Sequence, residues 1–437
     1  MHTAYTADIL PGVGLTCVKA EKFKTGCLTV NLVCGLDRDT AAEVALFPRV
    51  LRRGSAEHPG MDRIAAALDD LYGARVEPIV RKKGELHCAG FYADFPDDRF
   101  IRGGGKTLEE TVSLLGGLLL SPDTRDGILR ADFTEGEKIN LIDDIRASVN
   151  DKRGYSIDRL LEEMCAGEPY GVGNLGAERQ ASEITPESLT ARYREIVAGS
   201  RIEAFYCGAA EPERVISALS SALSGLPERK DPITPKTGVV LYPAAGEPRR
   251  FTEALDVTQG KLAIGFRLGK AMENPDYPAM ILFNAIYGGS VTSKLFLNVR
   301  ERLSLCYYAG SMLDKQKGVM IVSSGVDFEK FDAALDEILA QLENVRRGEI
   351  SDREFTSAKN YVMTSIKSAM DRPGGLEELY FDAAVAAVPY DPDELCDKIG
   401  GVTLDRVIET ASEIKTDSVY YLTGKGQGGG VEPDDGG

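Results

Sequence analysis

Residues 133–151 read FTEGEKINLIDDIRASVND, and residues 355–371 read FTSAKNYVMTSIKSAMD. Both begin Phe-Thr and continue with a lysine, Lys138 or Lys359. An isoleucine follows seven residues later, Ile145 or Ile366, then a basic residue, a serine and an aspartate, Asp151 or Asp371. The likeness extends outward. Pro169-Tyr170 and Pro389-Tyr390 each begin 18 residues after the aspartate. ITPESLTARYREI (184–196) matches VTLDRVIETASEI (402–414), and the apolar runs IEAFYCG and VYYLTG close on Gly208 and Gly424. Toward the front, TGCLTVNLVCG (25–35) parallels QGKLAIGFRLG (259–269), and ADF (93–95) parallels VDF (326–328). The offset drifts from about 234 to 216 residues while the order is kept, as short insertions and deletions would produce. Self-similarity of this kind marks one unit built twice.

The chain of 437 residues is therefore read as two α+β domains. The first spans 1–225 and the second 251–424. Between them, 226–250 holds five prolines and reads as an extended linker, and 425–437 is a Gly-rich tail. LTVNLVCGL and KLAIGFRL are strand-like. AAEVALFPRVLRRGS, MDRIAAALDDLYGA, KTLEETVSLLGGLLLS and DAALDEILAQLENVRRG carry helical patterning. Thr185, followed by Pro186, and Thr403 are expected helix N-caps.

Composition excludes several functions. Lys+Arg total 51 against 68 Asp+Glu, a net charge of −17, so a phosphate-binding basic face for nucleic acid is not expected. No run of 18 apolar residues or Asn-x-Ser/Thr site is present, and no signal peptide or membrane partner is expected. Eight cysteines without a C-x-x-C pair read as reduced buried thiols, and the expected compartment is the cytoplasm. Gly103-Gly104-Gly105-Lys106-Thr107 lacks the leading glycine of a phosphate-binding loop, since position 100 is Phe100; it reads as a turn before a helix. The basic stretch 75–83 reads as a solvated edge strand. Only three histidines occur, His2, His58 and His87, with no pair at i, i+4, so a histidine-based zinc site is not expected.

YGGSVTSKLFLNVRERLSLCYY (287–308) resembles a motif of the peptidase M16 family, the insulinase/pitrilysin-like group. Its matching residues are Gly288, Gly289, Ser293, Leu295, Phe296, Arg300, Glu301, Leu305 and Tyr307. Glu137-Lys138, Pro169-Tyr170-Gly171, Gly176 and Glu178 match in order elsewhere. The resemblance implies two homologous M16-type domains, of the LuxS/M16 peptidase-like fold, closing as a clamshell around a central cavity. It further implies that Arg300 and Tyr307, with the Gly288-Gly289 turn, bind substrate peptide. An arginine can donate two hydrogen bonds to a carbonyl or carboxylate, and a tyrosine adds one more. The alternative is that Arg300 pairs with a neighbouring carboxylate and Tyr307 packs in a strand. Phe296, Val299 and Leu303 have the spacing of a packed helical face.

The chain departs from the family where the chemistry resides. Active members carry His-x-x-Glu-His on a helix before a Lys/Arg-Gly-Thr/Ser turn: two histidines one turn apart on zinc, and a glutamate as general base. Here the turn is Arg53-Gly54-Ser55, and the motif positions hold Ala45-Leu46-Phe47-Pro48-Arg49. Ala45 cannot ligate, Pro48 cannot accept a proton, and Arg49 places a cation where the metal belongs. Glu137 fills the third-ligand position or is a solvated helix residue beside Lys138. No zinc or other cofactor is expected in this chain. The pattern suggests a pseudoenzyme: a non-catalytic subunit that forms a heterodimer with a zinc-bearing M16 peptidase and supplies peptide-binding groups. A peptide-binding or scaffold protein outside proteolysis is the alternative, and a self-sufficient zinc metallopeptidase the least favoured.

Overall fold

In the computed structural model, residues 3–229, 232, 236–242 and 246–425 are described. His2, parts of the expected linker, and the expected tail beyond Lys425 lie outside them. The chain opens with β1 (Thr3–Leu10), β2 (Val13–Lys19) and β3 (Thr25–Gly35), then α1 (Ala41–Leu51) and α2 (Met61–Asp70). Next come β4 (Arg75–Lys83), β5 (Leu86–Pro96), α3 (Thr107–Leu120), a small hairpin of β6 (Thr124–Arg125) and β7 (Ile128–Leu129), and α4 (Ala131–Ala147). The first repeat closes with α5 (Lys152–Met164), α6 (Glu178–Glu183), α7 (Pro186–Gly199), β8 (Arg201–Gly208) and α8 (Pro212–Ala222). The second repeat has β9 (Arg249–Leu255), β10 (Gly260–Arg267), α9 (Tyr277–Asn284), β11 (Cys306–Asp314), β12 (Val319–Val326) and α10 (Phe331–Arg346). It ends with α11 (Asp352–Ala369), α12 (Pro373–Val385), α13 (Pro392–Gly401), α14 (Leu404–Glu413) and β13 (Lys415–Gly424). The mixture of helices and sheets is the expected α+β class.

Two compact units result, and neither is a contiguous half. The first comprises Met1–Ala147, Val172–Thr237 and Ser368–Pro389; the second comprises Ser148–Gly171, Gly238–Lys367 and Tyr390–Gly437. The boundaries 1–225 and 251–424 therefore miss an exchange: α12 belongs to the first unit and α5 to the second. The reason is that a sheet has two faces to cover. In β3, Leu28, Val30 and Leu32 enter the main core of the first unit, with Phe47 of α1 and Leu115 of α3. On the alternate face, Val33 packs against Phe381 and Val385 of α12.

The sheet of the first unit has the order β1-β2-β8-β3-β5-β4. β4 is an edge, as expected, but its basic residues are not simply solvated. Arg81 pairs with Glu377 at 2.8 Å and Lys83 with Asp382 at 2.8 Å, both from α12. The turn at Gly103 and Gly104, both with positive φ, leads into α3, where the Thr107 hydroxyl donates to Pro96 O at 2.7 Å. Thr185 caps α7 by accepting from Ser188 N, and Thr403 caps α14 by accepting from Arg406 N.

The sheet of the second unit has the order β11-β12-β10-β13-β9. α5 covers it through Leu160, Leu161 and Met164, packed with Ala263, Tyr420 and Leu422. Beyond α5, the Glu168-Pro169-Tyr170 segment is anchored by buried charge. Glu168 lies 2.6 Å from Arg267 and 2.5 Å from Lys317, whose side chains are 1% and 0% exposed. Tyr170 donates to Asp314 at 2.7 Å. All eight cysteines are free, and burial pushes Cys17 and Cys27 up to about 12. Among the described residues no helix is long and apolar enough to cross a membrane.

Candidate functional site

Helix α1 is buried on nearly every side, which explains its Ala-Val-Leu-Phe composition. Ala45, Pro48 and Arg49 fall at i, i+3 and i+4 on one of its faces. Ala45 is fully buried, and Pro48 lies inside the helix, where it has no N–H to donate. Arg49 donates to Asp144 of α4 at 2.7 Å. One turn later, Arg53 lies 3.2 Å from Glu137, also on α4. Glu137 is not the solvated residue that its neighbour Lys138 suggested. Its side chain is only 12% exposed, and it also accepts from Asn140 at 3.2 Å. Lys138 instead reaches Glu135 and the carbonyl of Ile184.

These residues do not fit zinc. The first ligand position offers a methyl group, the base position a ring that cannot accept a proton, and the second ligand position a guanidinium held by Asp144. Glu137 faces Arg53. A zinc site needs three or four donors of the His, Cys, Asp or Glu type, and no group of three or more of these is placed to hold a metal among the described residues.

The second candidate lies in the other unit. After α9 the chain runs through a π-helical turn (Ala285–Gly289) and a π-helical segment (Leu295–Arg302). The wider turn lets Leu303 N donate to Asn298 O, five residues back, and Ser304 then takes a left-handed φ of 48°. This exit corrects the expected apolar face: Val299 is buried, but Leu303 is 42% exposed. β11 begins with a β-bulge, since Cys306 pairs with Val326 and Tyr308 with Gly325, leaving Tyr307 unpaired between them. Bulges re-aim side chains at sheet edges, and Tyr307 is 61% exposed.

Arg300 fixes this bulge. Its Nε donates to the backbone carbonyl of Tyr307 at 3.0 Å, its guanidinium lies 4.7 Å from the centre of the Phe296 ring, and a third contact runs to Glu301 at 3.1 Å. The Tyr307 hydroxyl donates to Asp327 at 3.1 Å, and that bond raises its pKa. Asp327 is lowered by hydrogen bonds from Lys330 and Tyr307. Arg300 thus has its carboxylate neighbour, but Tyr307 does not pack in the strand. Gly288 has a packing role: a Cβ there would lie 2.7 Å from Ser311 N, so glycine lets the π-turn approach β11. Gly289 would similarly meet Asn284.

Two partners were not singled out from sequence, Asp144 and Asp327, and Arg53 was read only as part of the motif turn. For Asp144 a signal existed, because it lies seven residues after Glu137 and hence on the same face of α4. Asp327 stands in the repeated VDF tripeptide.

Comparison with known proteins agrees with this anatomy. Residues 183–362 match the family described as peptidase M16 inactive domain. The chain is 32% identical over 416 residues to the probable inactive metalloprotease YmfF of Bacillus subtilis, covering 94% of this chain and 96% of that protein. It is 24% identical over 177 residues to YmxG of the same organism, named an uncharacterized zinc protease, covering 38% of this chain and 42% of that one. A crystal structure of a conserved protein from Enterococcus faecalis superposes with a TM-score of 0.86 at 26% identity, over 96% of this chain and 98% of that one. The chain belongs to the peptidase M16 family, as a homologue of its metallopeptidases that lacks their His-x-x-Glu-His motif and, with it, their catalytic centre.

Proposed function

We propose that this chain is a substrate-binding subunit that pairs with a zinc-bearing M16 peptidase and presents peptide to it. The observation that carries the reading is the contrast between its two candidate sites. The helix that would hold zinc keeps its fold but has no donor at its ligand positions, Ala45 and Arg49. The Arg300–Tyr307 element, by contrast, is hydrogen-bonded and bulged, with Tyr307 exposed. A guanidinium edge and a phenol beside an exposed bulge suit a peptide backbone, which offers carbonyl acceptors at regular spacing. In support, chains named inactive metalloprotease and zinc protease are both known from Bacillus subtilis strain 168. The alternative, a peptide-binding scaffold outside proteolysis, uses the same surface without a catalytic partner.

The test is reconstitution. A zinc-bearing M16 peptidase from the same organism is assayed on unstructured peptides with and without this chain, and the mixture is sedimented. The reading expects a complex and a turnover that depends on it. Equal turnover in both assays leaves the scaffold reading in its place.

A further inference from the structure

The two exchanged helices are seated differently. In β10, Gly265 faces α5, and a Cβ added there would collide with Met164 Sδ, so α5 lies directly on the sheet backbone. The repeat offset of 234 residues puts Asn31 of β3 at the position of Gly265. Asn31 is fully buried, and neither its side-chain nitrogen nor its oxygen has a hydrogen-bond partner. It stands on the α12 face of the sheet, between Thr29, which donates to Glu377 at 3.1 Å, and Val33, which packs on Phe381. Where α5 brings Met164 onto a glycine, α12 therefore covers an amide with nothing to bond.

A buried amide without partners carries its full desolvation cost, and water removes that cost as soon as the amide is exposed. The α12 seat also holds three ion pairs, Arg81–Glu377, Lys83–Asp382 and Lys22–Asp371, each at 2.8 Å, beside the apolar contacts of Leu376, Tyr380, Phe381 and Val385. Charged groups lose less on hydration than apolar contacts do, and at α12 the orphaned amide of Asn31 gains by it. α5 is held in addition by the Glu168 anchor just beyond its end.

We infer that α12 is a displaceable cover. It lifts from the six-stranded sheet while α5 stays docked on the five-stranded one, returning Thr29, Asn31 and Arg81 to solvent. Hydrogen exchange followed by mass spectrometry on the intact chain tests this. Amides of α12 should exchange at least tenfold faster than those of α5 under native conditions. Asn31→Leu, close in volume and without the orphaned amide, should slow α12 by about tenfold and leave α5 unchanged. If Asn31→Leu does not fold, Asn31→Gly, which copies the second repeat, serves the same comparison. Equal protection of the two helices, or an α12 rate insensitive to residue 31, overturns the inference.

Discussion

Arg300 and Tyr307 are joined by a hydrogen bond from the guanidinium Nε of one to the backbone carbonyl of the other, 3.0 Å long and seven residues apart in sequence. The arginine therefore shapes the bulge that exposes the tyrosine, in addition to any part it takes in binding. Substitution should separate the two roles. Arg300→Ala loses the bond and the stacking on Phe296, and should cost about 1 kcal/mol of stability. Tyr307→Phe loses only the exposed bond to Asp327, and its melting temperature should stay at the wild-type value. Thermal melts of the two variants check this. A large loss in Tyr307→Phe would make the hydroxyl structural.

Protein purified without chelator or polyhistidine tag should contain far less than one zinc per chain. The reason is the donor set, Ala45, Pro48 and Arg49, with Glu137 facing Arg53. Elemental analysis measures it. One zinc per chain, lost in Glu137→Gln, would show that Glu137 ligates a metal and does not simply face Arg53.

His87 makes stability depend on pH. It is buried in β5, its Nε2 bonds Asn174 O at 2.9 Å, and burial lowers its pKa from the ordinary 6.5 to about 4. The unfolded chain takes up the proton first as pH falls. The contribution is thus full above pH 6.5 and is lost progressively toward pH 4, up to about 3 kcal/mol. Denaturant melts of wild type and His87→Gln across that range should converge as pH falls. A constant difference would show that His87 is not the group responsible.

Much of this anatomy could be read from the sequence. The pairing of Phe133–Asp151 with Phe355–Asp371 matched the segments that fold as α4 and α11, and Thr185 and Thr403 marked true N-caps, because these features are local. The helix exchange could not be read. Two copies of one unit carry the same apolar pattern, so nothing in the pattern says which sheet α5 or α12 will cover. The loss of the zinc motif was visible at Ala45, Pro48 and Arg49, since a ligand is a residue type. The Arg53–Glu137 contact was not visible, because 84 residues separate its partners and only the α1–α4 packing joins them. The bulge at Tyr307 was equally hidden, since it depends on the wide turn at Leu303 and the left-handed Ser304.

Glu168 should be a point of weakness in the second unit. Glu168→Gln removes a carboxylate that Lys317, whose side chain is 0% exposed, shares with Arg267, which keeps Asp417. Breaking such a buried pair costs about 3–5 kcal/mol. Glu168→Gln with Lys317→Met should recover part of the loss, because the buried ammonium that Glu168 neutralised is then removed with it. Chemical denaturation of the single and double variants decides it, and strict additivity would show that the two groups do not act together.

The most direct measurement of the account is turnover of an unstructured peptide by the reconstituted pair, with this chain either wild type or Arg300→Ala. The substrate-binding role predicts that the variant still forms the complex, by sedimentation, while turnover falls about 10- to 150-fold, the loss of one charged hydrogen bond to bound peptide. Unchanged turnover in a fully formed complex would contradict it.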